Sequence, residues 1–169
     1  MASIVNGAIS GEALSDGLIS QSFNSRTAFN SRTALDTAIN AWITNEADAI
    51  STYGNINTWD VSGITDFSEL FKDKNNFNSD IGNWNVSNGT DFEYMFYGAS
   101  AFNQDIGNWN VSKGTDFSFM FSGASAFNQD IGNWDVSKGT DFSYMFRDAS
   151  VFNQDIGNWD VSKGTDFSF

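Results

Sequence analysis

Apolar and polar positions recur in one order every 25 residues, marked by Trp59, Trp84, Trp109, Trp134 and Trp159. Residues 106–130 read IGNWNVSKGTDFSFMFSGASAFNQD and residues 131–155 read IGNWDVSKGTDFSYMFRDASVFNQD, a difference at 5 of 25 positions. A fixed period of this length marks a stacked array, in which each copy buries its apolar face against its neighbours. The copies are 56–80, 81–105, 106–130, 131–155 and a partial 156–169, the first being the most divergent. Within one copy, Ile81, Trp84 and Val86 have the L-x-x-L-x-L spacing of a leucine-rich strand. Trp84 and Val86 then share one face and Asn85 takes the other. Ser87-Asn88-Gly89 predicts a turn, and Thr90 or Asp91 predicts the cap of a short helix carrying Phe92, Met95 and Phe96 at i, i+3 and i+4. Gly98-Ala99-Ser100 ends that helix, and Phe102 returns to the core. The pattern therefore predicts an α/β solenoid, a coil of short parallel strands and short helices.

Upstream the period changes. Leu35, Ile39, Trp42 and Ile43 fall at i, i+4, i+7 and i+8, one apolar stripe of an amphipathic helix. Thr33 is the expected N-cap, with Asp36 three residues on. Asn45 is placed to cap a second turn through Ala47, Ala49 and Ile50, and Gly54 to stop it. Residues 33–55 thus read as an N-terminal helical cap that shields the first layer of the stack. Residues 1–32 are polar and weakly patterned and read as an arm or anchor. They hold the start of a tandem FNSRTA duplication at 23–28 and 29–34. Ala13, Leu14, Leu18 and Ile19 predict a short helix within the arm.

Composition narrows the function classes. Phe at 17 and Trp at 6 give each copy its own apolar content. Eight basic residues face 21 acidic ones, for a net charge of −13 with no Lys/Arg cluster. A nucleic-acid partner is therefore disfavoured, as is an anionic membrane surface. The chain has no Cys and no His, which removes disulfides, thiolate metal sites and imidazole chemistry. No stretch of 18 apolar residues predicts a membrane span, and MASIVNGAISGEALSDGLIS has no Sec signal pattern.

The string FNQDIGNWDVSKGTDFSYMF resembles the repeat of BspA-like leucine-rich-repeat surface proteins. TALDTAINAWITNEADAISTYGNINTWDVSGITDFSELF is similar to the segment that opens such arrays. The resemblance covers about residues 33–169. It implies a right-handed leucine-rich-repeat coil and a surface-exposed, non-enzymatic role in adhesion or recognition. Two departures stand out. Gly89, Gly114, Gly139 and Gly164 replace the Val common in that family, which only Ile64 approaches, and Phe67, Phe92, Phe117, Phe142 and Phe167 replace a common Met. Larger Phe rings are expected to fill the volume that Gly gives up.

Two columns of Asp are the most evident candidate chemistry: Asp80, Asp105, Asp130 and Asp155, and Asp66, Asp91, Asp116, Asp141 and Asp166. The first reading of the second column is helix capping. No cofactor is expected; weak Ca2+ binding between layers is the one exception the columns admit. Identical stacked carboxylates do not supply the two environments that acid–base catalysis requires, so no catalytic or metal residue is assigned. The Asn columns read as ladders that satisfy turns. The Trp column (Trp59, Trp84, Trp109, Trp134, Trp159) reads as a buried core stack rather than a sugar platform. The candidate binding face is the expected exposed strand side: Asp60, Asn85, Asn110, Asp135 and Asp160, with Lys113, Lys138 and Lys163. The function expected is a non-enzymatic repeat protein displayed on an extracellular surface. The alternative is a structural virion component anchored through its N-terminus. Partners are a protein or glycan on a host or neighbouring surface, and other subunits reached through 1–32 or the open C-terminal end. An uncovered last layer is expected to be met by further chain or by another subunit.

Overall fold

The computed structural model describes residues 26–169. The short helix expected around Ala13–Ile19, and most of the arm, lie outside them. Helix α1 (Arg32–Thr44) is followed by α2 (Glu46–Tyr53). The cap of α1 is Ser31 rather than Thr33, its hydroxyl accepting from the Ala34 N–H at 3.1 Å. That places Arg32 in the first turn, where its Nε meets Asp36 at 2.9 Å. Asn45 serves both helices. Its N–H donates to the Ala41 carbonyl, and its side chain caps α2 at the Asp48 N–H. Gly54 closes α2 with φ 75° and donates to the Ile50 carbonyl. Leu35, Ala38, Ile39 and Trp42 are buried, whereas Ile43, at the edge of the stripe, is 42% exposed. Trp42 meets Trp59 edge-on at 5.9 Å and donates its indole N–H to the Ser79 hydroxyl, so α1 lies on the first repeat. The residues just before α1 are tied down too. Asp60 N–H donates to the Thr27 carbonyl, Phe29 N–H donates to the Asp60 carbonyl, and the Phe29 ring is buried.

The repeats do not form the expected coil of parallel strands and short helices. Among the described residues no strand is present, and beyond α2 the only helical element is a 3₁₀ turn, Ile56–Thr58. Extended pairing is reduced to isolated parallel bridges: Asp66 to Asp91, Asp91 to Asp116, Asp116 to Asp141, Asp141 to Asp166, and Ala28 to Asp60. The reason lies in how the N–H groups are used. At Trp84–Val86, where a strand was expected, Trp84 N–H bonds back to the Ile81 carbonyl and Gly89 N–H to that of Val86. These are turns, and no backbone bond carries Trp84–Val86 to another layer. Where a helix was expected, the N–H groups alternate between two destinations. Phe92, Tyr94, Phe96 and Gly98 donate to the Asp116, Ser118, Met120 and Ser122 carbonyls of the next layer. Met95, Tyr97 and Ala99 donate three residues back within their own layer. Neither destination is the i−4 carbonyl that an α-helix requires. Chained turns nevertheless reproduce the i, i+3, i+4 spacing of apolar residues that predicted a helix.

Layers still repeat every 25 residues, and aromatic ladders run through them. Phe67, Phe92, Phe117, Phe142 and Phe167 stack ring on ring at 5.5 Å. Phe71, Phe96, Phe121 and Phe146 do so at 5.4–5.7 Å. Phe77, Phe102, Phe127 and Phe152 complete the core at 5.8–5.9 Å. The expected exchange of Gly for Phe volume is visible here: a Cβ on Gly114 would stand 2.4 Å from the Phe117 ring. At Gly107 the neighbour is backbone instead, with the Asp130 carbonyl 2.5 Å from where a Cβ would be. Polar columns close the edges. Thr115 hydroxyl and N–H both donate to the Thr90 carbonyl, and Asn128 N–H donates to the Asn103 side chain.

Candidate functional site

The expected binding face has no sheet beneath it. Asp60, Asn85, Asn110, Asp135 and Asp160 each fold back to accept the N–H two residues on, from Ser62, Ser87, Ser112, Ser137 and Ser162, at 3.0–3.2 Å. They are turn-builders in the Asx manner. The Ser62, Ser137 and Ser162 hydroxyls and N–H groups hold Asp60, Asp135 and Asp160 below the usual carboxylate range. Lys113 donates to Asn88 at 2.6 Å, and Lys138 and Lys163 extend into solvent. These side chains are brought into one row, but the row is occupied with its own turns.

The Trp column is buried for its first four members, each 2–3% exposed, and half-buried at Trp159. Every indole N–H is satisfied. Trp84, Trp109, Trp134 and Trp159 donate to the Ile56, Ile81, Ile106 and Ile131 carbonyls of the preceding layer at 2.8–3.2 Å. Side chains thus make the interlayer bonds that backbone does not make on this wall.

The Asp columns are likewise engaged. Asp80, Asp105, Asp130 and Asp155 accept from the N–H of Gly82, Gly107, Gly132 and Gly157 at 2.9 Å. Asp66, Asp116, Asp141 and Asp166 accept from both N–H and hydroxyl of Ser68, Ser118, Ser143 and Ser168. The capping is of turns rather than helices. Among the described residues no three acidic side chains converge in a group that could hold a metal ion.

One layer breaks this rule. Glu93 stands where the other layers have Ser, so Asp91 keeps the backbone bond and loses the hydroxyl. Burial raises Asp91, assisted by Asp116 and Asp66. Glu93 is raised by burial, then by Asp116 and Asp91.

Beside Glu93 lies a half-buried surface stripe that sequence reasoning missed. Glu69, Tyr94, Phe119 and Tyr144 occupy equivalent positions, all with left-handed backbone, at φ 56°, 53°, 55° and 52°. A bulky residue there is an outlier, held only because each layer repeats the same hydrogen bonds. The three rings stack at 4.5 and 4.7 Å. Tyr97 meets Tyr94 edge-on at 5.4 Å. Lys72, paired to Glu69 at 2.7 Å, sits 4.7 Å over the Tyr94 ring, and Arg147 sits 5.6 Å over Tyr144. The signal that would have found the stripe is where the copies differ. Residues 81–105 and 106–130 differ at 4 positions, three of them 93/118, 94/119 and 97/122. Residues 106–130 and 131–155 differ at 5, three of them 119/144, 122/147 and 123/148. Reading Phe92, Met95 and Phe96 as a helix face left Tyr94 without a role.

Among the described residues, no helix is long and apolar enough to cross a membrane. Residues 44–138 and 115–169 match the family described as Mycoplasma protein of unknown function, DUF285. No curated protein and no solved structure matches the chain.

Proposed function

The chain belongs to this DUF285 family, and we propose that it is a non-enzymatic recognition module, displayed on a surface in the manner of the BspA-like repeat proteins it resembles. One observation carries the reading: residues 81–105, 106–130 and 131–155 keep every ring of the core ladders, while most of their differences fall on or beside the Tyr94–Phe119–Tyr144 stripe. Core positions that hold layers together have one solution and stay the same. Positions that face a partner are free to differ, and aromatic side chains are what protein interfaces favour there. The strained backbone under each ring fits the same reading, because Gly or Asn would occupy that backbone at lower cost. Acid–base catalysis has no support in the columns, whose carboxylates are engaged by their own turns.

A random 12-residue peptide library panned against the chain, and against the triple variant Tyr94→Asn, Phe119→Asn, Tyr144→Asn, tests this. Asn tolerates the left-handed backbone, so the variant keeps its fold, which near-ultraviolet circular dichroism of the core indoles would verify. Peptides enriched on the chain and lost on the variant are the expected result. Enrichment that ignores the variant, or none at all, would remove the stripe as a recognition surface.

A further inference from the structure

We infer that the partner of the stripe is a short basic segment of a protein, lying along the stack with its cations on Glu69, Glu93 and the neighbouring Asp column. The inference rests on the recognition reading above and supplies its chemistry. The stripe is not built for a sugar. Its rings cover one another's faces at 4.5 and 4.7 Å, and Lys72 and Arg147 lie over the outer rings of the stack. Ring edges and tyrosine hydroxyls are what remain in reach of a partner. Such edges suit the aliphatic stems of Lys and Arg, whose charged heads then need acceptors.

Acceptors lie alongside. Asp66, Asp91, Asp116, Asp141 and Asp166 form a column through their parallel bridges, and Glu93 accompanies it at the second layer. Glu69, paired on one oxygen with Lys72 at 2.7 Å, keeps an exposed side chain, at 54%. Replacing the Ser of the other layers by Glu93 removes a hydroxyl donor from Asp91 and adds a negative charge beside it. Among the described residues no salt bridge reaches that pair: Arg32 bridges Asp66, one layer away, and acts on Asp91 only from a distance. Lys72 and Arg147 show the fit of a cation to this surface, since each lies against a stripe ring. Between them, Phe119 has Ser122 at the corresponding position and no cation of its own. The net charge of −13 draws basic partners from a distance and repels acidic ones. The three intervals from the Glu69 layer to the Tyr144 layer span about 14 Å, the length of four or five extended residues.

Fluorescence anisotropy with a labelled nonapeptide of alternating Arg and Ser tests the inference, with Glu/Ser and Gly/Ser nonapeptides as comparisons. The Arg peptide is expected to bind in the micromolar range and to weaken at least fivefold when salt rises from 50 to 500 mM, roughly as screening of exposed charges requires. Glu69→Gln with Glu93→Gln should weaken it at least fivefold without lowering the melting temperature, and the Asn triple variant should weaken it as well. Equal binding of the Arg and Gly peptides, absence of binding, or insensitivity to the Gln pair would overturn the basic partner. The two readings fail separately. Panned peptides that depend on the stripe but carry no excess of Lys and Arg would sink the basic partner and leave the recognition surface standing, whereas panning that ignores the stripe would sink both.

Discussion

The two walls of each layer hold the stack by different means. On the wall that carries Trp84, the backbone curls into turns, and layers are joined by indole N–H groups and ring stacking. On the wall from Phe92 to Gly98, alternate backbone N–H groups cross directly to the next layer. The first wall depends on the identity of its side chains, and its sequence hardly changes between copies. The second is held by backbone, which any residue supplies, and its outward side chains are therefore free to vary. Variation collects on the wall whose stability does not depend on it.

Substitutions should expose that contrast. Trp109→Ala removes a buried ring and the bond to the Ile81 carbonyl together. We expect a loss of about 3–5 kcal/mol in chemical denaturation, within the range for buried aromatics; a loss below about 1 kcal/mol would contradict side-chain control of that wall. Gly114→Ala places a methyl 2.4 Å from Phe117 inside the ladder. Overpacking of that kind costs about 1–3 kcal/mol, measurable in the same titration. Phe119→Asn on the other wall should change stability by no more than about 1 kcal/mol, because lost stacking is offset by relief of the left-handed backbone.

Acidification separates two sets of carboxyls. Asp91 and Glu93 are raised above their ordinary values, so they disfavour the folded state at neutral pH, and that penalty fades as pH falls through the raised pKa values. Asp135, Asp160 and Asp166 are lowered by Ser137, Ser162 and Ser168, so they favour the folded state above their ordinary values, and that support is lost as pH falls through the lowered ones. Thermal melts should therefore show a small rise in stability on mild acidification and a fall at lower pH. Glu93→Ser should raise stability at neutral pH by about 0.5 kcal/mol and flatten the initial rise. The smallest effect is expected from EDTA, which should leave the melting temperature unchanged, since among the described residues no three acidic side chains converge on one ion position. Stabilisation by added calcium would show instead that ions bridge the columns.

Much of this was legible in the sequence, for identifiable reasons. Spacing of the Trp residues set the layer period, and burial of Trp84 followed from its place beside Val86. The stripe Leu35, Ile39 and Trp42 marked α1, and Asn45 marked the boundary between helices. What misled was spacing that two structures share. Phe92, Met95 and Phe96 suit either a helix or chained turns, and only the destination of the Tyr94 and Phe96 N–H groups separates them. Ile81, Trp84 and Val86 suit a strand, but Asn85 and the Asp at equivalent positions tie their side chains to the following Ser and bend the chain away from extension. The outer stripe was hidden because the period singled out only Phe92, Met95 and Phe96, while its mark was difference between copies.

Arg32 reaches both the side chain and, at 3.3 Å, the carbonyl of Asp66. In later layers the equivalent carbonyls, of Asp91, Asp116, Asp141 and Asp166, receive an N–H from the layer before. From Phe92 to Gly98 the crossing N–H groups all point to the next layer and outnumber the Thr90 and Asp91 N–H groups that point back, so a net dipole adds along the stack much as it does along a helix. The first layer is the negative pole of that array, and a guanidinium is the charge suited to meet it. Arg32 thus acts as a terminal counter-charge, giving the stack a start that is electrically as well as sterically distinct from its continuation.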